Sequence, residues 1–208
     1  MTMLKPKGIL VWDFDGVLFE TERYRSDNRK AYVEYGIPEQ IILDTLADMN
    51  RRKEYLSMSR FIRALRKKGI SISDRVIHRI NHDNLQRNTY YSPRTDALLH
   101  RMKKLGFIQM IVSMGSAPFQ RKKMFVGCGV GFRNHFVKII VTAKPKYFTI
   151  LKISKKHSNV PIIFIDDTKE NLDLVKRYIP EVKTIHYSNF SGRSLAHLEK
   201  KILTYAKK

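Results

Sequence analysis

A single cysteine, Cys128, stands among 208 residues, which excludes an internal disulfide and any cysteine-based zinc cluster. That suits a reducing compartment, and the expected role of Cys128 is a small apolar filler. Acidic residues are also scarce, 19 against 40 lysines and arginines, for a formal net charge of +21. No run approaches the roughly 20 apolar residues of a membrane span. The apolar stretch in MTMLKPKGILVW is too short for a secretory signal. A soluble, cytoplasmic protein with no membrane partner is the expectation. The seven histidines show no ligand-like spacing, and there is no internal repeat or low-complexity tract.

What is present is a chain 43% hydrophobic, long enough to bury a core. Short apolar runs rich in Val, Ile and Phe recur as GILVWDF, FIQMIVS, FVKIIVT and PIIFIDD, with a weaker VKTIHY later. Such runs read as buried strands. Helical patterns separate them: Leu98, Leu99, Met102 and Leu105 ended by Gly106, a stretch opening at Pro118, another after Pro145, and Leu172, Leu174 and Val175 after Asp167. Alternating strand and helix predicts an α/β fold, a doubly wound parallel sheet with helices on both faces. Residues 20–90 break the rhythm. Tyr55, Met58, Phe61, Ile62 and Leu65 make one helical stripe stopped at Gly69, and Ser73 starts a second helix with Val76, Ile77 and Ile80. The expected division is a core of residues 1–19 and 91–208 with an all-helical insertion at 20–90.

Charge is uneven between these parts. Residues 20–90 hold 15 basic against 10 acidic residues, and the remainder 25 against nine. The basic runs RMKKLG, QRKKMF and LKISKKH are scattered among the expected helices, with no aromatic platform or nucleic-acid motif. A solvated basic surface is therefore favoured over a nucleic-acid partner, which the net charge permits. Four of the nine acidic residues outside the insertion fall at strand ends: Asp13 and Asp15 after the first, Asp166 and Asp167 after the fourth. Two carboxylates so close repel unless a cation or proton is shared. In open α/β sheets ligands gather beyond the carboxyl ends of the strands. Hard oxygen ligands there suit Mg²⁺, which bridges to substrate phosphate.

In this order the segments DFDGVLFETE, IVSMGS, AKPKYF and IFIDDTKENL resemble the four motifs of the haloacid-dehalogenase superfamily, and residues 20–90 sit where that family inserts a helical cap. The resemblance implies a Rossmann-like core, a Mg²⁺ cofactor and a phosphatase working through an aspartyl-phosphate. It implies Asp13 as nucleophile and Asp15 as the acid and base, with Ser113, Gly115 and Lys144 binding the phosphoryl group. Asp13, the backbone carbonyl of Asp15, Asp166 and Asp167 are the implied metal ligands, Asp167 directly and Asp166 directly or through water. A second aspartate at position 15 goes, in that family, with phosphomonoester hydrolysis or phosphomutase chemistry, whereas dehalogenases lack the acid there. A small phosphorylated metabolite or nucleotide is the implied substrate.

Competing readings attach to single residues. Asp167 with Glu170 fits a helix capping box. Lys146 rivals Lys144; Lys144 is preferred because Pro145 suits a first helical position, leaving Lys144 just before the helix. Ser113 is also compatible with a strand-end hydroxyl bonded to backbone. Trp12 is expected in packing. Arg23 and Arg25, near the entry to the insertion, are candidates for contacting the leaving group. Oligomeric state is not legible.

Overall fold

The computed structural model describes residues 6–52, 57–189 and 194–207; Tyr55 of the expected stripe lies outside them. Strand β1 (Gly8–Trp12) leads into four helices, α1 (Thr21–Glu34), α2 (Glu39–Arg51), α3 (Met58–Lys67) and α4 (Asp74–Arg87). Then come α5 (Pro93–Lys104), β2 (Phe107–Met114), α6 (Ala117–Lys122), a π-helical turn at Lys123–Gly127, a 3₁₀ turn at Phe132–His135 and β3 (Lys138–Thr142). The chain continues through α7 (Lys146–Lys156), β4 (Ile162–Asp166), α8 (Lys169–Tyr178), β5 (Lys183–His186) and α9 (Leu195–Tyr205).

The five strands form one sheet in the order β3-β2-β1-β4-β5, and every pairing is parallel. This is the expected doubly wound α/β fold. Alternation along β1 explains the layers, because successive side chains leave a strand on opposite faces. Leu10 and Trp12 pack with Leu98, Leu99, Leu198 and Ile202 of α5 and α9. Ile9 and Val11 pack with Ile150, Ile153, Leu172 and Val175 of α7 and α8. Trp12 is fully buried, its Nε1 donating to Gln109 Oε1 at 3.2 Å, so it packs as expected. Cys128 is also buried. Leu105, expected in the α5 stripe, is exposed; the helix ends at Lys104 and leaves it at the C-cap.

The helical insertion has its own buried residues, among them Ile42, Met49, Phe61, Leu65 and Ile77. Ser57 and Ser73 cap α3 and α4 by accepting from Arg60 N and Val76 N. A polar chain crosses its interior: Tyr24 OH donates to Asn81 Oδ1 at 2.9 Å, and Asn81 Nδ2 donates to the Tyr32 hydroxyl. The two chain passages joining insertion to core lie side by side, with Glu20 N donating to Tyr90 O at 2.9 Å. Tyr90 N in turn donates to Gly127 O at 3.1 Å, tying the junction to the π-turn. No helix among the described residues is long and apolar enough to cross a membrane.

Candidate active site

With β1 central, the loops leaving β1, β2 and β4 converge on one end of the sheet. Asp13 follows β1 directly; its N–H donates to Ile165 O at 2.8 Å, which sets it against the end of β4. Asp166 ends β4 and is fully buried. Carboxylate oxygens of Asp13, Asp166 and Asp167 lie within 4.8 Å of one another. Gly16 makes this approach feasible: its φ is +72°, and a Cβ there would collide with the Asp167 carboxylate. Only glycine meets both demands readily.

Among the described residues one lysine answers these charges, and it is Lys146. Its Nζ lies 2.7 Å from Asp13 Oδ1 and 2.8 Å from Asp166 Oδ2, and all three residues are buried. The preference for Lys144 is thereby corrected. Pro145 is the N-cap of α7, not its first helical residue, so the inward-facing position falls on Lys146. Lys144 is exposed, its N–H donating to Thr142 Oγ1 at 3.0 Å. Asp166 takes further bonds from Thr168 N at 2.8 Å and from Asn171 Nδ2 at 3.2 Å. Burial pushes the Asp13 carboxyl up to about 8, with repulsion from Asp166 adding to it against the pull of Lys146. Burial likewise raises Asp167, and Asp166 adds to that. Burial disfavours the charged Lys146, but Asp13 and Asp166 outweigh it and carry the ammonium to about 12. Three clustered carboxylates thus share one fixed cation.

Asp167 does not cap the following helix. The N-cap of α8 is Thr168, whose hydroxyl donates to Asp167 Oδ1 at 3.2 Å. The capping-box reading fails because the helix begins one residue later than that box requires.

Asp15 is held separately. Lys123 Nζ pairs with its Oδ1, Thr21 Oγ1 donates to the same oxygen at 3.1 Å, and Gln120 Nε2 donates to Oδ2 at 2.6 Å. Lys123 is buried among the rings of Phe14, Phe19 and Phe119. Burial opposes charge on Asp15, yet Lys123, Gln120 and Thr21 outweigh it and hold the carboxyl below its usual range. Neither Lys123 nor Gln120 was legible in the sequence. The run QRKKMF reads as a solvated basic face, and the π-helical turn beginning at Lys123 alters the 3.6-residue phase on which such readings rest.

Two cavities of about 530 Å³ meet here. The lower is lined by Asp13, Asp15, Ser113, Lys146, Asp167 and Asn171, among others. Ser113 Oγ is buried without a hydrogen-bond partner among the described residues, so the backbone-bonded alternative is not what the structure shows. The upper cavity lies between the helical insertion and α6 and shares Asp15, Thr21, Arg25 and Met114 with the lower. Gly115 lines the upper cavity, where its lack of a side chain leaves room for Gln120. Arg25 borders both cavities, whereas Arg23 lies over the Tyr90 ring.

No family model and no curated protein matches the chain. Solved structures do. A haloacid dehalogenase-like family hydrolase from Xanthomonas campestris aligns at 15% identity over 100% of this chain and 95% of that one, with a TM-score of 0.66. L-2-haloacid dehalogenase from Xanthobacter autotrophicus, with chloropropionic acid covalently bound, aligns at 15% identity over 95% and 82%, TM-score 0.59. A HAD family enzyme from Bacteroides thetaiotaomicron, in complex with magnesium and inorganic phosphate, aligns at 20% identity over 92% and 99%, TM-score 0.55. The chain has the fold of the haloacid-dehalogenase-like hydrolases, as its motifs implied.

Proposed function

We propose that the protein is a Mg²⁺-dependent phosphomonoester hydrolase acting through an aspartyl-phosphate on Asp13. The observation that carries this reading is the second carboxylate: Asp15 lines the same cavity as Asp13, independently braced by Lys123, Gln120 and Thr21. A bare nucleophile needs no such partner, whereas expelling an alkoxide from phosphorus needs a proton donor. The solved neighbours include both a dehalogenase and a phosphate complex, and this braced acid favours phosphoryl chemistry.

The donor set fits a divalent cation: oxygens of three carboxylates lie within 4.8 Å of one another, and burial, with repulsion from Asp166 added, makes charge on Asp13 costly. Asp13, Asp166, Asp167 and the Asp15 carbonyl would hold Mg²⁺, which when bound neutralises charge on the phosphoryl oxygens. Lys146 adds a fixed positive charge, and the unpartnered Ser113 hydroxyl donates to a phosphoryl oxygen. Both bonds to Asp13, from Lys146 and from Phe14 N, fall on Oδ1, which leaves Oδ2 to react. Oδ2 forms a bond to phosphorus as the ester P–O bond breaks, and Asp15 gives its proton to the leaving oxygen. Water then attacks phosphorus, passes a proton to Asp15 and releases phosphate, regenerating the Asp13 carboxylate. Because Lys123 holds Asp15 ionised in the free protein, the first proton arrives with the substrate monoanion, whose second pKa is about 6.

Residues 20–90 act in this reading as a cap that closes over the site, with a small phosphorylated substrate and a cytoplasmic setting. The test is phosphate release from a panel of phosphomonoesters with and without Mg²⁺, beside Asp13→Asn. Release that needs Mg²⁺ and vanishes in the variant supports the reading. Isomerised product without free phosphate would make the protein a phosphomutase, and halide release from a 2-haloacid without phosphatase activity would make it a dehalogenase.

A further inference from the structure

From Ala97 to Ile165 the chain runs for 69 residues without an aspartate or glutamate, yet carries 13 lysines and arginines. Lys123 and Lys146 are buried at the active site, and the other 11 are exposed or half-buried. Solvated surfaces ordinarily intersperse both signs. Charge of one sign held without acids builds a potential that draws polyanions.

Helix α7 lies wholly within this stretch, and with α8 it forms a row of rings that no single segment of the sequence displays. Tyr147 stacks on Phe148, ring centres 4.1 Å apart at 29°, and on Tyr178 of α8 at 4.9 Å and 21°. Tyr147 is the half-buried middle ring. Its neighbours Phe148 and Tyr178 are 43% and 53% exposed, so both ends of the row meet water, and neither ring lines an active-site cavity. Lys152 lies one turn beyond Phe148 on the same side of α7, Lys144 four residues before it, and Arg177 beside Tyr178. All three cations are exposed, with no ion pair among the described residues. Local acids do not cancel them: Asp173 pairs with Lys176 at 3.5 Å, Glu181 accepts from Ser154 Oγ at 2.6 Å, and Glu170 is in the first turn of α8, opposite the end that carries Tyr178.

We infer that the α7–α8 face binds single-stranded nucleic acid, with unpaired bases stacking on Phe148 and Tyr178 and phosphates lying against Lys144, Lys152 and Arg177. Exposed rings among cations suit a strand that offers base faces and a phosphate at every step, whereas a duplex keeps its base faces within its own stack. A bilayer fits less well, because surface-bound helices bury a broad apolar face in lipid. Here α7 turns Ile150 and Ile153 to the core and presents Phe148 outward among lysines. The surface stands apart from the catalytic cleft, and the inference does not rest on the phosphatase reading.

Its test is fluorescence anisotropy with the full chain, using labelled single strands of DNA and of RNA about 12 nucleotides long. The strands carry no terminal phosphate, so turnover does not intrude. At least one strand should bind, with affinity falling as salt rises, and more tightly than the duplex of the same sequence despite the duplex's greater charge. Phe148→Ala and Tyr178→Ala should each weaken binding by roughly fivefold or more, while Tyr178→Phe, which keeps the ring, should change it less than about twofold. Lys144→Gln and Lys152→Gln should each lower the salt slope by about 0.7. Thermal melts show which variants fold, and where an alanine variant does not, the wild-type preference for single strand over duplex decides. No binding of either strand, a duplex held as tightly, or folded alanine variants that bind like wild type overturns the inference. So does binding to phosphatidylserine vesicles with the single strands ignored, which would assign the face to a membrane. Phosphate release through Asp13 is untouched by any of these results.

Discussion

The carboxylates at the end of the sheet are served by two lysines in contrasting ways. On the β1–β4 side, Asp13, Asp166 and Asp167 have Lys146 as their one lysine among the described residues, and burial, with repulsion from Asp166 added against the pull of Lys146, drives the Asp13 carboxyl up to about 8. On the α6 side, Asp15 has Lys123 to itself with Gln120 and Thr21, and it lies below its usual range. One half is short of positive charge and the other is balanced from within. Their difference separates two tasks: the first half is built to admit a cation, the second to hold one carboxylate in one orientation.

The deepest break in the comparison is Asp13→Asn, which removes the nucleophile; phosphate release should fall by at least about 10⁴-fold, measured in steady state with Mg²⁺. Next in size is Lys146→Met. Stripping the cation from buried carboxylates should destabilise the Mg²⁺-free protein by about 3–5 kcal/mol in denaturant titration, while Lys144→Met should stay within about 0.5 kcal/mol. Equal losses at the two positions would mean that the pairing with Asp13 and Asp166 carries no energy. Lys123→Met probes the other half, and its signature is selective. Turnover of an alkyl phosphate should fall about tenfold more than that of p-nitrophenyl phosphate, whose leaving group scarcely needs a proton. A uniform loss would reduce Lys123 to a structural part.

A last break in the comparison concerns stability against pH. Asp13 has an ordinary value of 3.8 and a folded value of about 8, so between those limits the folded Mg²⁺-free protein holds a proton that the unfolded chain has released. Its stability should therefore fall as pH rises from about 4 to 8. Thermal melts at pH 5.5 and 8 check the sign, and saturating Mg²⁺ should raise the melting temperature more at the higher pH, where fewer protons compete.

Sequence pattern reached the sheet and the aspartates for physical reasons. Buried parallel strands demand near-continuous apolar runs, and in an acid-poor chain carboxylates at strand ends stand out. It placed Lys144 where Lys146 belongs because the choice turned on whether Pro145 is the N-cap or the first helical residue, a one-residue distinction that propensity does not resolve. Lys123 was hidden more deeply. Its inward direction depends on a π-helical turn and on three aromatic rings contributed by the β1 loop and α6, and neither leaves a local signature in QRKKMF. Asn171, which supports Asp166, looks in sequence like any polar residue on a helix.

The pairing of Glu20 with Tyr90 bears on how such a molecule can diversify. Since entry and exit of the four-helix segment stand at neighbouring points, a different segment with equally close ends could be grafted there with the sheet and its acidic cluster left intact. Chemistry and substrate choice can then change independently of each other.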